Sequence, residues 1–186
     1  MENRDKRKLI VFAVLDTNVL VSALLSDSAP RQIIGMVKDK NVIPLFDARI
    51  IDEYKKVLNY PKFKDKINVY EAQDELNLIL SSGILVKDVE QTKQEFKDKE
   101  DIPFYEVKCS SEEFDPMLIT GNLKHYPAER NVIVSPQVFI ATYYQMNRWL
   151  IKDIDYPEII GNLIAQNLGL DRYEKLSDEV IQKYLI

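Results

Sequence analysis

The chain has 186 residues, of which 46% are hydrophobic and 30% are charged, and its formal net charge is −5. This composition fits a folded globular protein and excludes a wholly disordered chain, and no apolar run approaches the roughly 20 residues that cross a bilayer. The negative net charge does not indicate a nucleic-acid binder with a uniformly basic surface, so such a partner would have to bind a local basic patch or metal ions.

Strand and helix patterns alternate along the chain. The apolar run at 9–15 is bounded by polar residues, which predicts a fully buried strand of a parallel sheet. The predicted elements that follow are helices at 18–26 and 31–38, a strand at 42–46, helices at 47–60 and 69–81, a strand at 84–86, a helix at 101–107, strands at 116–120 and 132–134, and a helix at 137–146. This alternation predicts an α/β fold in which helices cover both faces of a mostly parallel sheet.

Apolar residues keep a helical spacing at the end of the chain, from about Trp149 to Tyr184, and Gly169 is a predicted break between two helices. We therefore predict one domain at 1–148 and a helical C-terminal extension at 149–186. The spacing leaves open whether this extension packs on the core or binds a partner.

Three carboxylates and one amide hold equivalent positions in the predicted sheet. Asp16 ends the first strand, and Glu53 lies in the first two turns of the helix after the second strand. Asp101 is predicted to cap a later helix, and Asn122 follows a later strand. Because strand ends and helix starts meet at one edge of a parallel sheet, we expect the four side chains to converge where ligands bind open α/β folds.

A cation is the simplest reason to cluster these carboxylates, because they raise one another's pKa unless a positive charge holds them. Oxygen ligands favour Mg²⁺ or Mn²⁺, which can activate a bound water and neutralise charge on a phosphate. The chain has one histidine, and no cysteine or serine lies in a nucleophile motif. Position alone leaves a second interpretation open, in which Asp16 only caps a helix.

Four ordered segments resemble the motifs of the PIN domain family. Residues 14–23, Val-Leu-Asp-Thr-Asn-Val-Leu-Val-Ser-Ala, resemble its opening motif, and residues 50–63 resemble its second. Residues 101–107 and 118–127 resemble its third and fourth. The resemblance spans about residues 9–147 and is closest to the branch described as toxins of bacterial toxin–antitoxin systems (VapC-like).

The resemblance implies a compact α/β/α sandwich and a Mg²⁺- or Mn²⁺-dependent endoribonuclease with an RNA substrate. By motif match, Asp16, Glu53 and Asp101 are metal ligands and catalytic residues, and Asn18 supports the site. Asn122 stands where many members carry a fourth aspartate, so it completes the catalytic set without adding charge, and one metal rather than two is expected. A toxin of this kind would form a homodimer and bind an antitoxin protein that occludes the acidic cleft.

Several neighbouring residues have two interpretations. Thr17 is expected either to contact the metal's water or a phosphate, or to cap a helix, and Ser135 fits a helix cap with a site contact as the alternative. Asp98 and Asp115 are nearby carboxylates that would partly compensate for the missing fourth acid. His125 contacts a substrate phosphate or lies on a surface loop.

Other residues near these motifs have weaker signals. Asp52 points about 100° away from Glu53 on a helix and is expected to be solvated. A basic stretch follows Glu53 and either guides RNA or forms a solvated surface: Lys55, Lys56, Lys62, Lys64 and Lys66. Three aromatic residues either stack on bases or pack in the core or an interface: Tyr143, Tyr144 and Trp149.

A single cysteine, Cys109, excludes an intrachain disulfide and a cysteine-based zinc site and predicts a reducing, cytoplasmic location. No membrane partner is expected, because no apolar run is long enough to cross a bilayer. Two alternatives to the ribonuclease remain. The protein is a PIN-like RNA- or protein-binding module, catalytically weak because Asn122 replaces an acid, or a phosphatase-type hydrolase with an Asp nucleophile. The second is disfavoured because Asn18 removes the Asp-x-Asp spacing common in such enzymes.

Overall fold

The computed structural model describes residues 9–63, 65–127 and 132–152. Five strands and six α-helices make up this part of the chain. In order they are β1 (Val11–Leu15), α1 (Thr17–Leu25), α2 (Ala29–Lys38), β2 (Val42–Phe46), α3 (Ala48–Leu58), α4 (Val69–Ser82), β3 (Ile84–Leu85), α5 (Ile102–Cys109), β4 (Met117–Ile119), β5 (Ile133–Val134) and α6 (Pro136–Lys152).

The strands form one parallel sheet in the order β3-β2-β1-β4-β5. Strand β1 lies at its centre, where Ala13 pairs with Pro44 of β2 on one side and with Met117 of β4 on the other. All four strand pairs in the described residues are parallel. The predicted α/β fold with a parallel sheet is therefore confirmed.

The apolar run of β1 explains its central place. The side chains of Ala13 and Val14 are fully buried, and Leu15 is almost so. A strand that helices cover on both faces has no polar face, so its sequence is continuously apolar. The central strand thus brings Asp16, the first polar residue after the run, to the edge of the sheet.

The helices lie in two layers because the chain reverses direction across the sheet. From β1 to β2 to β3 the strand order runs one way, and from β3 to β4 it returns past β1. Right-handed connections then put the helices between β1 and β3 on one face and α5 on the other. The contacts agree, since α5 packs on β1, β2 and β4, whereas α2 packs on α1, α4 and α6.

This reversal opens a crevice between β1 and β4 at the carboxyl ends of the strands, where open α/β sheets bind ligands. Asp16 follows β1, and Thr120 follows β4 directly beside it. The backbone N–H of Asp16 donates to the carbonyl of Ile119 at 3.0 Å. The topology therefore fixes the relative position of the two chain segments that carry the candidate site.

The element boundaries differ from the predictions mainly at α6, which was predicted to end near Met146 and continues through Lys152. Position Ser135 caps this helix, and no glycine or proline interrupts it from residue 137 to 152, so nothing in its sequence stops it earlier. The predicted helices around Gly169 and the greater part of the 149–186 extension lie outside the described residues.

Candidate metal centre at the carboxyl edge of the sheet

Asp16 is buried at the end of β1 and uses both carboxylate oxygens. Its Oδ1 accepts a hydrogen bond from the backbone N–H of Asn18 at 3.2 Å, which caps α1. Its Oδ2 accepts from the hydroxyl of Thr120 at 2.6 Å and from the hydroxyl of Tyr126 at 3.1 Å. The helix cap and the convergent site are thus both present, each on its own oxygen.

Asn18 joins α1 to the end of β4. Its side-chain nitrogen donates to Thr120 Oγ1 at 3.3 Å, and its Oδ1 accepts from the N–H of Gly121 at 2.8 Å. A Cβ at Gly121 would lie 3.1 Å from Asn18 Oδ1, which explains the glycine at this close approach. The N–H of Asn122 also donates to Thr120 Oγ1, at 2.9 Å. These bonds hold the residues after β4 against the first turn of α1.

Asp101 lies on the opposite wall and is 93% buried, since only 7% of its surface is exposed. Its Oδ1 accepts from the Tyr126 hydroxyl at 3.4 Å, and its Oδ2 lies 2.9 Å from His125 Nδ1. One tyrosine hydroxyl therefore contacts a carboxylate from each wall of the cleft.

Asp101 occupies the N-cap position of α5, as predicted, but its side chain does not serve as the cap. Its backbone is helical, with φ −80° and ψ −20°, and its side chain makes no cap hydrogen bond. A capping side chain needs an extended backbone at the cap residue. Asp98 has that conformation, and its Oδ1 accepts from the N–H of Glu100 at 2.9 Å to cap the short 3₁₀ turn before α5. The Asp101 carboxylate is consequently left to face the cleft.

Glu53 reaches the cleft from α3. Its side chain is mostly buried, and Lys56 Nζ lies 3.2 Å from its Oε2. Lys56 also binds Glu100 of the turn before α5, which ties the two walls together. The next residue, Tyr54, is buried and donates its hydroxyl to the carbonyl of Leu15. This bond fixes the first turns of α3 to the end of β1.

The segments that carry Asp16, Glu53 and Asp101 enclose a cleft of about 270 Å³. Acidic, polar and aromatic side chains share its surface. The residues that line it are Asp16, Thr17, Asn18, Val21, Glu53, Val57, Tyr60, Lys62, Phe63, Asp98, Glu100, Asp101, Phe104 and Asn122.

Two carboxylates of the cleft, Asp101 and Glu53, have raised pKa values, so their charged forms are disfavoured. Burial raises the pKa of Asp101 above its ordinary value, and the charge of Asp16 raises it further, while the hydrogen bond from His125 opposes this. Burial also raises the pKa of Glu53, against the opposing effect of Lys56. Burial and the two aspartates raise the pKa of Tyr126 far above its ordinary value, so its hydroxyl stays protonated and acts as a donor. A cation in the cleft would offset the cost for both acids.

The donor set fits a hard divalent cation. The polar side chains that line the cleft supply mainly carboxylate, amide and hydroxyl oxygens, which are the ligands that Mg²⁺ and Mn²⁺ prefer. The hydroxyl of Thr17 is buried without a hydrogen-bond partner although it borders the cleft. A buried polar atom in this state is costly unless a bound group or water satisfies it. The residues present therefore suit the metal that the fold implies.

The four main candidates, Asp16, Glu53, Asp101 and Asn122, all line this cleft, whereas Ser135 and Asp115 do not. Ser135 accepts from the N–H of Val138 at 3.3 Å, so its described hydrogen bond is a helix cap, and it does not line the cleft. Asp115 precedes β4 and so lies at the amino edge of the sheet, where it cannot compensate for Asn122. Asn122 itself borders the cleft but is exposed, and Asp98 is also on the wall.

Two residues that the sequence did not single out contribute to the site. Tyr126 and Thr120 both donate to Asp16, and neither had an assigned role. Thr120 carried a usable signal, because a hydroxyl at the end of a strand beside β1 faces the same edge as Asp16. Tyr126 carried none, since it follows a short turn with no periodic pattern. His125 lies partly exposed in a short turn, and its Nδ1 is 2.9 Å from Asp101 Oδ2, a contact that neither of its two interpretations included.

The basic and aromatic residues divide between surface and core. Lys62 borders the cleft, and its Nζ lies 5.4 Å from the ring centre of Tyr60 and 4.9 Å from that of Phe63. Tyr143 is buried and donates its hydroxyl to the Leu9 carbonyl at 3.1 Å, which confirms its place in the core. The other members of these groups are exposed or lie outside what the structure describes: Lys55, Lys56, Lys66, Asp52 and Tyr144 are exposed, and the side chains of Lys64 and Trp149 are not described.

Comparison with known proteins agrees with this architecture. A family model described as PIN domain matches residues 13–124, more than half of the chain. No curated protein and no solved structure matches the chain. Among the residues described, no helix has both the length and the apolar character of a membrane span. PIN domains are generally metal-dependent nucleases, and the matched segment contains Asp16, Glu53, Asp101 and Asn122. Because the family model matches more than half of its length, the chain belongs to the PIN domain family.

Proposed function

We propose that the protein is a Mg²⁺- or Mn²⁺-dependent endoribonuclease. The observation that carries this proposal is the convergence of Asp16, Glu53 and Asp101 on one cleft at the point where the strand order reverses. Burial raises the pKa of Asp101 and of Glu53, so the cleft favours a bound cation over three uncompensated carboxylates. A cation held in this cleft would activate a water and neutralise charge on a phosphate, and this is the chemistry of a hydrolytic nuclease.

Asp16, Glu53 and Asp101 would hold the cation, and the Asn122 carbonyl oxygen would add a neutral ligand. The bound metal would supply a water nucleophile at neutral pH and neutralise charge on the scissile phosphate. The chain's own residues do the positioning. Thr120 and Tyr126 fix the Asp16 carboxylate, and Asn18 holds the end of β4 beside it. Fixed ligands of this kind keep the cleft ready to receive a phosphodiester.

RNA is the proposed substrate because one wall of the cleft suits a single strand. Tyr60, Lys62 and Phe63 lie together at its rim. Aromatic rings stack on unpaired bases, and a lysine beside them can pair with the backbone phosphate. The net charge of −5 makes a local contact of this kind necessary, since the surface as a whole does not attract nucleic acid.

The biological role that we propose is the toxin of a toxin–antitoxin pair. It rests on the resemblance of the four motifs to that branch of the family. In this role an antitoxin protein would cover the acidic cleft, the toxin would form a homodimer, and both would act in the cytoplasm. Residues 1–148 would form the nuclease domain, and residues 149–186 a helical extension.

The second candidate is a PIN-like module that binds RNA or protein without cutting it. Asn122 favours it, because an exposed amide stands where a fourth acid would bind a cation more strongly. A phosphatase-type enzyme is less consistent with the site, because Asn18 is engaged with Thr120 and Gly121.

The test uses end-blocked single-stranded RNA and DNA of the same sequence, with Mg²⁺, with Mn²⁺ and with chelator. We expect internal cuts in the RNA only when a metal is present, and no cuts by Asp16→Asn. An absence of cleavage together with retained RNA binding would favour the non-cutting module. Equal cleavage by Asp16→Asn would refute the assigned centre.

A further inference from the structure

The two oxygens of Asp101 face two different groups. Oδ1 is 3.4 Å from the Tyr126 hydroxyl, which also binds Asp16, and Oδ2 is 2.9 Å from His125 Nδ1. Asp101 therefore stands between the Asp16 side of the cleft and a second side that contains the chain's one histidine.

Asp98 completes a group on that second side. One ligand atom from each of Asp98, Asp101 and His125 lies within 4.8 Å of the other two. Neighbouring ligands of an octahedral ion with bonds of about 2.1 Å are about 3.0 Å apart, and opposite ligands about 4.2 Å. The 2.9 Å between His125 Nδ1 and Asp101 Oδ2 matches a neighbouring pair, and a ligand atom of Asp98 lies within 4.8 Å of both.

A buried hydroxyl without a hydrogen-bond partner also borders the cleft. The Thr17 side chain borders the same cleft as Asp98 and Asp101 and is 7% exposed, and its hydroxyl has no hydrogen-bond partner. Such a group is costly unless a bound species or its water satisfies it.

We propose that Asp98, Asp101 and His125 form a second cation subsite that binds a first-row transition ion in preference to Mg²⁺, with Asp101 shared between it and the Asp16 side. Imidazole nitrogen suits transition ions, whereas Mg²⁺ takes oxygen ligands and keeps its waters. His125 thus supplies a strong ligand for a transition ion, whereas Asn122 offers only a neutral amide oxygen. The inference rests on the proposed function only through the shared Asp101, and it is tested by metal binding without RNA.

The single histidine makes the test specific. Untagged protein carrying ring-¹⁵N histidine is saturated with Mn²⁺ and studied by pulsed electron paramagnetic resonance beside unlabelled protein. We expect an imidazole nitrogen coupling that changes with the isotope and disappears in His125→Gln. Saturated wild-type protein without an imidazole coupling would overturn the proposal, and this measurement needs no variant that must fold.

Two further variants measure affinity by calorimetry with Mn²⁺ and with Mg²⁺. Asp98→Asn should weaken Mn²⁺ binding by about tenfold or more, because even the loss of a residue that only orients a metal ligand lowers metal affinity by about this factor. Glu95→Gln removes the same charge from an exposed residue of the same segment and should leave it unchanged. Equal Mn²⁺ affinity in Asp98→Asn and wild type would contradict the subsite. If Mn²⁺ binds with the imidazole coupling but RNA is not cut, the subsite stands and the proposed nuclease function fails.

Discussion

The Tyr126 hydroxyl lies 3.1 Å from Asp16 Oδ2, although 110 residues separate the two in the chain. The same hydroxyl is 3.4 Å from Asp101 Oδ1, so it is the direct link between the carboxylates of the two walls. Both aspartates and the tyrosine are buried. The hydroxyl has a single proton that the two acids share, and its raised pKa keeps it protonated as the donor between them.

Tyr126→Phe removes this donor and keeps the ring. Hydrogen bonds to charged groups contribute about 1.5–3 kcal/mol, so we expect the free energy of unfolding of the metal-free protein to fall by an amount in this range. Urea denaturation with and without Mn²⁺ measures it. Tyr144→Phe is the matched control, because that ring is 53% exposed and away from the cleft. A tyrosine that acts only by packing would leave the stability of Tyr126→Phe equal to that of wild type.

Thr120→Val removes a hydroxyl at nearly constant shape. Thr120 Oγ1 donates to Asp16 at 2.6 Å and accepts from Asn18 and from the Asn122 N–H, so its loss leaves buried groups unpaired. We expect a loss of about 1–3 kcal/mol in the free energy of unfolding and slower RNA cleavage. Thr120→Ser keeps the hydroxyl and should recover most of the cleavage rate. A defect in Thr120→Ser together with wild-type behaviour of Thr120→Val would show that the methyl group, not the hydroxyl, matters.

Alanine substitutions at Gly83 and Gly35 test the packing of the fold, because we expect them to change the stability in opposite directions. A Cβ at Gly83 would lie 2.4 Å from the Phe46 ring and 2.5 Å from the Pro44 carbonyl, whereas a Cβ at Gly35 in α2 meets nothing within 4 Å. Gly83→Ala should lower the free energy of unfolding by about 1–3 kcal/mol through overpacking. Gly35→Ala should raise it by about 0.4–1 kcal/mol, because alanine favours the helix. Thermal unfolding of both variants checks the opposite signs.

Metal-free protein should lose stability as the pH rises through the raised carboxyl pKa values. Folding raises the pKa of Asp101 and of Glu53, so the folded state binds more protons than the unfolded state in this range. The stabilisation is present below the ordinary carboxyl pKa and is lost as the pH passes the raised values.

The control for this pH effect is Asp101→Asn, which removes one of the two titrating groups. Its free energy of unfolding should fall less steeply above the ordinary carboxyl range than that of wild type. Added Mn²⁺ should stabilise wild type most at the upper end of the range, where both acids are charged. Identical slopes in the two proteins, measured by urea denaturation at successive pH values, would contradict the assignment to Asp101.

The sequence was sufficient to predict the sheet and the positions of Asp16, Glu53 and Asp101, because each follows from an apolar strand or a helix start at one edge. It was not sufficient for contacts made by irregular segments. Asp101 takes the predicted cap position, but the short turn that Asp98 starts has no periodic signal, so the sequence did not show that the Asp101 side chain would make no cap bond. Tyr126 follows another such turn, and its bond to Asp16 depends on how β4 and α5 approach β1 in space. Local pattern cannot show a contact of that kind.

We propose that the cleft between β1 and β4 is a metal-dependent catalytic centre built around Asp16. The most direct test of this proposal is the single-turnover rate of RNA cleavage by wild type and Asp16→Asn across a Mn²⁺ titration, with folding of both proteins checked by circular dichroism. We expect the wild-type rate to rise with Mn²⁺ to saturation, and the variant rate to stay at least about a hundredfold lower at every concentration. A folded Asp16→Asn protein that cuts RNA at the wild-type rate would contradict the account.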